Sequence, residues 1–235
     1  ETLAGVRRAI EVARRLRRAG HELLGIRLDS GDLAYLSIEA RRLLDEAGFG
    51  GAFIVGSNEL DEHLIADLKS QGATIGVWGV GTRLATGHGE PALGGVYKLT
   101  AVRGPDGAWQ HKVKVSEQTA KVTSPGILQV RRFRRDGQFV ADVTYDELLG
   151  PPNEAVAVDP ADPTRRKAVP GGTPYEDLLV PVFRAGRRIY DPPPLEAARR
   201  RTIEQLAGLH EGVRRLANPH AYPAGLDRRL HELRT

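Results

Sequence analysis

Polar and glycine-containing motifs follow three successive apolar runs in the first 85 residues of the chain. The first motif contains Arg27 and Asp29, the second contains Ser57 and Asn58, and the third is Gly-Val-Gly-Thr at residues 79–82. Together they offer a guanidinium, a carboxylate, hydroxyl and amide groups, and glycine backbone that an anion can approach closely. These residue types suit a ligand that carries both negative charge and hydroxyl groups.

Arg27 and Asp29 are the strongest candidates. Side chains alternate along a strand, so both residues point to the same face of the strand that residues 23–28 predict. An arginine offers a planar fork to a carboxylate or phosphate, and an aspartate accepts sugar hydroxyls or helps to hold Mg²⁺. Ser30 and Asp32 are open to two interpretations, because either could contact a ligand or cap the following helix.

The other two motifs are also compatible with purely structural roles. Ser57 and Asn58 could bind a ligand, or they could form the turn and cap before the next helix. Gly79, Gly81 and Thr82 could cradle an anion, or they could form a tight turn. The stretch is neither a Walker loop nor the dinucleotide fingerprint, since Leu84 stands where the latter requires glycine.

Repeated strand–helix units must position these motifs. Strands are predicted to start near residues 23, 52 and 74, and helical patterns cover residues 3–19, 33–47 and 59–71. Repeated units of this kind form parallel sheets with right-handed crossovers, so the carboxyl ends of the strands share one edge. Residues 1–93 are therefore predicted to be part of a βα barrel with substrate- and phosphate-binding strand ends.

The pattern changes after residue 93. Short alternating runs at residues 96–99, 109–113, 126–131 and 139–143 predict a mostly antiparallel β region over 94–190, with a Pro- and Gly-rich loop at 150–175. Two more short strands are predicted at 178–183 and 188–190. Residues 191–235 are predicted to be a helical tail, with a helix at about 195–217. The fold class is therefore α/β.

Composition excludes several classes of protein. The 235 residues include no Cys and no Met, and no apolar stretch is long enough to span a membrane. Residues 184–235 carry 11 basic and 6 acidic side chains, a net charge of +5, but the charges are interleaved as on a solvated helix face, so no nucleic-acid partner is expected. The chain begins inside an amphipathic pattern, and we expect it to be the C-terminal piece of a longer protein.

Six short sequence motifs, in the order in which they follow one another along the chain, resemble those of nicotinate phosphoribosyltransferases of the bacterial type. They are GIRLDSGDL at 25–33, SNELDE at 57–62, GVGTRL at 79–84, PALGGVYKL at 91–99, KVTSPG at 121–126 and NPHAYP at 218–223. Each motif alone is weak evidence for the resemblance, but the ordered set of six covers nearly the whole chain. The resemblance implies the C-terminal part of a type II phosphoribosyltransferase barrel together with a mostly antiparallel region and a C-terminal helix.

The resemblance also implies a reaction. Nicotinate and phosphoribosyl pyrophosphate would give nicotinate mononucleotide and pyrophosphate in NAD biosynthesis, with Mg²⁺ required and ATP hydrolysed as co-substrate. Arg27 and Asp29 would contact the phosphoribosyl substrate, Asp29 being a candidate contact for Mg²⁺ on that substrate. Gly81 and Thr82 would bind the 5′-phosphate. The same substrate site, at the carboxyl ends of the strands, would also be lined by Ser30, Ser57, Asn58 and Gly79.

Other parts of such an enzyme are expected upstream of this chain. They include the early barrel strands, the phosphorylated histidine, and the Tyr and Arg that contact nicotinate, so the fragment alone is expected to be inactive. The resemblance further implies a cytoplasmic homodimer, formally a ligase and glycosyltransferase. Two alternatives stay open: a relative that uses nicotinamide, and a non-catalytic remnant or interaction module that retains phosphoribosyl binding.

Overall fold

The computed structural model describes residues 1–92, 94–115 and 122–235, which form two compact units, Glu1–Gly95 and Val96–Thr235. Leu93 and Lys121, each part of one of the six motifs above, lie outside the described residues. Within the described ranges, no helix combines the length and apolar character needed to cross a membrane.

The first unit alternates helices and strands, as the sequence predicts. Its elements are α1 Thr2–Arg18, β1 Gly25–Leu28, α2 Leu33–Glu46, β2 Phe53–Gly56, α3 Glu62–Ser70, β3 Val77–Trp78 and α4 Thr82–Ala85. The three strands form one parallel sheet in the order β1-β2-β3, with Arg27 opposite Val55 and Val55 opposite Val77. All three strands therefore end at the same edge.

Apolar spacing explains how this unit packs. The buried residues of α1 are Val6, Ile10 and Ala13, which recur at helical intervals and face the core. Leu44 of α2 and Ile54 of β2 are almost completely buried in the same cluster. The helices thus pack against one face of the sheet, while Phe53 of β2 and Val77 of β3 stay exposed.

The second unit is built around a mixed six-stranded sheet. Its strands are β4 Ala101–Arg103, β5 Trp109–His111, β6 Leu128–Arg135, β7 Gln138–Asp146, β8 Ala155–Val158, β9 Arg166–Val169, β10 Tyr175–Asp177, β11 Phe183–Arg184, β12 Arg187–Arg188 and β13 Ala224–Leu226. The large sheet has the order β10-β6-β7-β13-β8-β9, and β4-β5 and β11-β12 form separate two-stranded sheets. Within the large sheet, β13 runs parallel to β7 and antiparallel to β8.

The second unit departs from the sequence prediction in five places. The strands predicted at 178–183 and 188–190 are found as β11 Phe183–Arg184 and β12 Arg187–Arg188. The segment 150–175, predicted to be a loop, contains β8 and β9, and the strand predicted at 96–99 is found instead at Ala101–Arg103. The helix predicted at 195–217 is two helices, α5 Leu195–Ala207 and α6 Glu211–Arg214, because the chain turns at Gly208, whose carbonyl accepts from the Phe139 N–H at 2.7 Å. The predicted helical tail also contains β13 and α7 Arg228–Arg234.

A network of polar side chains fastens the C-terminal segment to the sheet. The Arg132 guanidinium donates to both carboxylate oxygens of Asp142, at 2.9 and 2.6 Å, across the β6–β7 pair. Arg132 also donates to Gln205 of α5 at 2.7 Å, and the Tyr222 hydroxyl donates to Asp142 at 2.8 Å. Four separate segments therefore meet at one ion pair.

Candidate functional site

The carboxyl ends of β1, β2 and β3 bring together most of the residues that the sequence predicts as a site. Arg27 is the third residue of β1, Ser57 follows β2 directly and Gly79 follows β3 directly. The Ser57 N–H donates to the Leu28 carbonyl at 2.9 Å, which closes the first two strand ends against each other. The sheet thus provides a fixed backbone on which the polar side chains stand.

Arg27 is paired with two of the predicted residues. Its Nη2 lies 2.9 Å from Asp29 Oδ2, and its Nη1 donates to Ser57 Oγ at 3.2 Å. The side chains of Arg27 and Asp29 are 63% and 52% exposed, so both reach solvent at the strand end. The prediction that Arg27 and Asp29 share a face is confirmed, and their roles toward a substrate stay predictions.

Of the caps that the sequence left open, one is confirmed and one is wrong. Asp32 caps α2, because its carboxylate accepts from the Tyr35 N–H at 3.0 Å. Asp61, rather than Ser57 or Asn58, caps α3 by accepting from the Leu64 N–H at 2.8 Å. That hydrogen bond is the main reason why the pKa of Asp61 lies below its ordinary value.

Ser57 and Asn58 are thus not needed to cap α3. Asn58 has a backbone φ of +95°, an uncommon value for a residue other than glycine. Ser57 instead places its hydroxyl between the Leu28 carbonyl and the Arg27 guanidinium. Both residues are therefore available at the edge where the strands end.

A small cleft of about 200 Å³ lies beside the third motif. Its lining consists of Asn58, Glu59, Leu60, Gly79, Gly81, Thr82 and Arg83. The structure therefore brings four of the predicted substrate-binding residues into one concavity. Arg83 contributes a cation to it and also lowers the pKa of nearby Asp61 through its charge. A phosphate-sized anion would meet backbone, a hydroxyl and a guanidinium there.

A second groove of about 480 Å³ lies between α1 and β1. Its predicted members are Arg27, Asp29 and Ser30, and its wall on α1 includes Gly5 and Ala9. Sequence analysis did not identify these α1 residues, although two small residues four positions apart mark one face of a helix. Most of the predicted residues thus line one of two concavities. Ser57 lines neither, but it hydrogen-bonds to Arg27 of the second one.

The residues described carry no ready-made metal centre. No group of three or more His, Asp or Glu side chains is placed to hold a metal ion in those ranges. Mg²⁺, however, commonly uses only one or two protein carboxylates together with substrate phosphates. Asp29, exposed at the strand end, fits that more limited requirement.

Comparison with known proteins agrees with the family resemblance that the six motifs indicate. Residues 129–234 match the model of the nicotinate phosphoribosyltransferase C-terminal domain. Over 226 residues, the chain is 38% identical to nicotinate phosphoribosyltransferase of Bacillus subtilis (strain 168), covering 90% of this chain and 45% of that protein. The chain is a relative of the nicotinate phosphoribosyltransferases.

Eukaryotic nicotinate phosphoribosyltransferases are also similar. Nicotinate phosphoribosyltransferase 2 of Arabidopsis thaliana is 33% identical, with 97% of this chain and 42% of that protein covered. The crystal structure of human nicotinic acid phosphoribosyltransferase superimposes with a TM-score of 0.63 at 27% identity, covering 91% of this chain and 40% of the human chain. The chain thus spans less than half the length of these nicotinate phosphoribosyltransferases.

Proposed function

We propose that the chain forms part of a nicotinate phosphoribosyltransferase. The reaction joins nicotinate to phosphoribosyl pyrophosphate and yields nicotinate mononucleotide and pyrophosphate, with ATP hydrolysed to ADP and phosphate, in NAD biosynthesis. One observation carries the proposal. In a chain 38% identical to such an enzyme, the predicted site residues meet at the carboxyl edge of a parallel sheet, where Arg27 contacts Asp29 and Ser57.

Each part of phosphoribosyl pyrophosphate has a complementary group at this edge. Arg27 would bind the diphosphate and Asp29 would accept the ribose hydroxyls. Gly81 and Thr82 would hold the 5′-phosphate in the cleft that they line. Ser30, Ser57, Asn58 and Gly79 would form the surrounding wall.

The chemistry requires positioning more than it requires a nucleophilic side chain. Displacement at the anomeric carbon builds positive charge on the sugar while pyrophosphate departs with negative charge. Arg27 and the backbone N–H groups near Gly81 would hold the phosphates in place, and Asp29 would orient the ribose. Fixed groups of this kind cost no reorganisation when the charge develops.

Mg²⁺ and ATP are part of the proposal. Asp29 would contact Mg²⁺ carried by the diphosphate, where the ion would neutralise charge on the leaving group. ATP would act as a co-substrate, with its contacts supplied by residues other than those named above.

The proposed assembly is a cytoplasmic homodimer. In it, an upstream half completes a type II phosphoribosyltransferase barrel and adds the groups that bind nicotinate. The 235-residue chain by itself would then be inactive. An intact mass on the purified protein tests whether an upstream half is present. A mass near 25.6 kDa means that the chain exists alone, and a mass about twice as large means that a further segment accompanies it.

The decisive experiment measures formation of nicotinate mononucleotide by the intact protein with nicotinate, phosphoribosyl pyrophosphate, ATP and Mg²⁺. Arg27→Ala or Asp29→Ala should reduce turnover at least about a hundredfold, because each removes a charged contact to the transition state. Both side chains are more than half exposed, so the fold should survive. Arg42→Ala is the matched control, since Arg42 is an exposed arginine paired with Glu39 and Glu46 on α2.

The outcomes separate the proposal from its alternatives. Near-normal turnover in either Arg27→Ala or Asp29→Ala would overturn the site assignment. Turnover of nicotinamide in preference to nicotinate would favour the nicotinamide-using relative. Binding of phosphoribosyl pyrophosphate without any product from the intact protein would favour the non-catalytic remnant.

A further inference from the structure

A continuous set of contacts links the loop after β3 to Arg27 on β1. The Gly79 N–H donates to the Gly56 carbonyl at 2.8 Å, and this bond draws the end of β3 against the end of β2. A Cβ atom on Gly79 would lie 3.3 Å from the Cβ of Ser57 and 3.5 Å from the Gly56 carbonyl oxygen. The first of these distances is tighter than ordinary packing, so a side chain at position 79 would press on Ser57.

Ser57 in turn holds one end of the Arg27 guanidinium. Its hydroxyl donates to the Leu28 carbonyl at 3.4 Å and accepts from Arg27 Nη1 at 3.2 Å. The opposite terminal nitrogen, Nη2, is held by Asp29 at 2.9 Å. Because two different partners hold the two terminal nitrogens, the plane of the guanidinium is fixed at the strand end.

An exposed arginine gains most from such support. The Arg27 side chain is 63% exposed, so few packing contacts restrict its rotamers. Ordering a free arginine when a ligand binds costs side-chain conformational entropy. Neighbours that order the side chain beforehand remove part of that cost from binding.

We infer that Ser57 and Gly79 are positioning residues that act on the phosphoribosyl substrate through Arg27. This inference rests on the proposed function and deepens it, since it gives both residues an indirect role in place of direct contact. Ser57 orients the guanidinium, and Gly79 leaves the space that Ser57 requires. The loop after β3 and the Arg27–Asp29 pair are thereby coupled through Ser57.

The test measures the Kd of phosphoribosyl pyrophosphate with Mg²⁺ for the intact protein by titration calorimetry. Ser57→Ala and Gly79→Ala should each weaken binding about tenfold, the effect of losing one hydrogen bond to a charged group. Gly76→Ala is the matched control, because a Cβ there meets nothing within 4 Å. In turnover assays, the KM for phosphoribosyl pyrophosphate should rise while kcat changes less than about threefold.

A double-mutant cycle distinguishes action through Arg27 from general damage to the fold. In an Arg27→Lys background the guanidinium that Ser57 orients is already absent, so adding Ser57→Ala should weaken binding no further. Fully additive losses would overturn the inference, as would wild-type affinity in either Ser57→Ala or Gly79→Ala. Failure of the unmutated protein to bind phosphoribosyl pyrophosphate would refute the proposed function, and this inference with it.

Discussion

Replacing Asp142 by alanine should destabilise the second unit strongly, because its carboxylate binds side chains from two other segments and, through Arg132, is linked to a third. It accepts two hydrogen bonds from Arg132 and one from Tyr222, and Arg132 in turn reaches Gln205. The side chains of Arg132 and Asp142 are only 20% and 14% exposed. Water therefore cannot replace the lost contacts well.

The magnitude follows from these contacts. Breaking a buried ion pair by removing one partner costs about 3–5 kcal/mol, and the remaining exposure of Arg132 places this pair at the low end. The Tyr222 hydroxyl loses its acceptor, which adds about 1 kcal/mol. We therefore expect Asp142→Ala to lower the free energy of unfolding by about 4 kcal/mol. Asp142→Asn, which keeps the shape and one acceptor oxygen, should cost about half as much.

The assay is urea unfolding followed by the fluorescence of Trp109, in a Trp78→Phe background. Trp78 lies in the first unit and Trp109 in the second, so the remaining tryptophan reports the unit that carries Asp142. Glu176→Ala is the matched control, because it removes an ion pair to Arg134 whose partners are 37% and 39% exposed. Such exposed pairs contribute about 0–1 kcal/mol. An Asp142→Ala loss no larger than the Glu176→Ala loss would refute this reasoning.

Three further perturbations test other parts of the structure. Burial, together with the hydrogen bond to Asp142, raises the pKa of Tyr222 above its ordinary 10.0, so the unfolded chain loses the hydroxyl proton at lower pH than the folded chain does. The free energy of unfolding should therefore be unaffected by this group below pH 10 and should fall above pH 10 by up to about 1.4 kcal/mol per pH unit. Tyr222→Phe should make that fall less steep in unfolding measurements. Gly225→Ala should cost at least about 2 kcal/mol in chemical denaturation, because its Cβ would lie 2.5 Å from the backbone oxygen of Val158, which cannot rotate away; wild-type stability would contradict the close approach of β13. Asp32→Ala should cost about 1 kcal/mol in thermal unfolding while Asp32→Asn costs almost nothing, and equal losses would exclude the capping role.

The sequence predicts the first unit well because its structure is governed by local patterns. Helical spacing such as that of Val6 and Ile10 on α1 identifies the helices, and short apolar runs between them identify the strands. The alternation of side chains along β1 was enough to predict that Arg27 and Asp29 lie together, as they do. These features depend on residues within a few positions of one another.

The second unit is harder to predict because its sheet depends on distant pairings. β13 has three residues, and its partners in β7 and β8 are more than 60 positions away in the sequence. No local alternation distinguishes such a strand from a turn, and β8 and β9 are nearly as short. Tertiary pairing therefore decides their conformation, which is why a loop and a helical tail were expected there.

The sequence predicted that the candidate residues lie at the strand ends, but it predicted only part of the geometry there, and their roles stay predictions. The sequence could not show that a side chain at position 79 would crowd Ser57, since this proximity depends on the register in which β2 and β3 end. It also could not show that small residues of α1 form one wall of the groove beside Arg27. Both features arise from the packing of elements that are separate in the sequence.

The central position of β13 has a consequence for synthesis on the ribosome. β7 ends at Asp146 and β13 ends at Leu226, so about 80 residues must be added before the strand that joins β7 to β8 exists. At roughly 5–20 residues per second, that interval lasts about 4–16 s. Until then β7 and, once it has been made, β8 each lack the strand that lies beside them in the finished sheet, and unpaired strand edges invite association with other chains. We therefore expect the nascent second unit to depend on chaperones until β13 has been made.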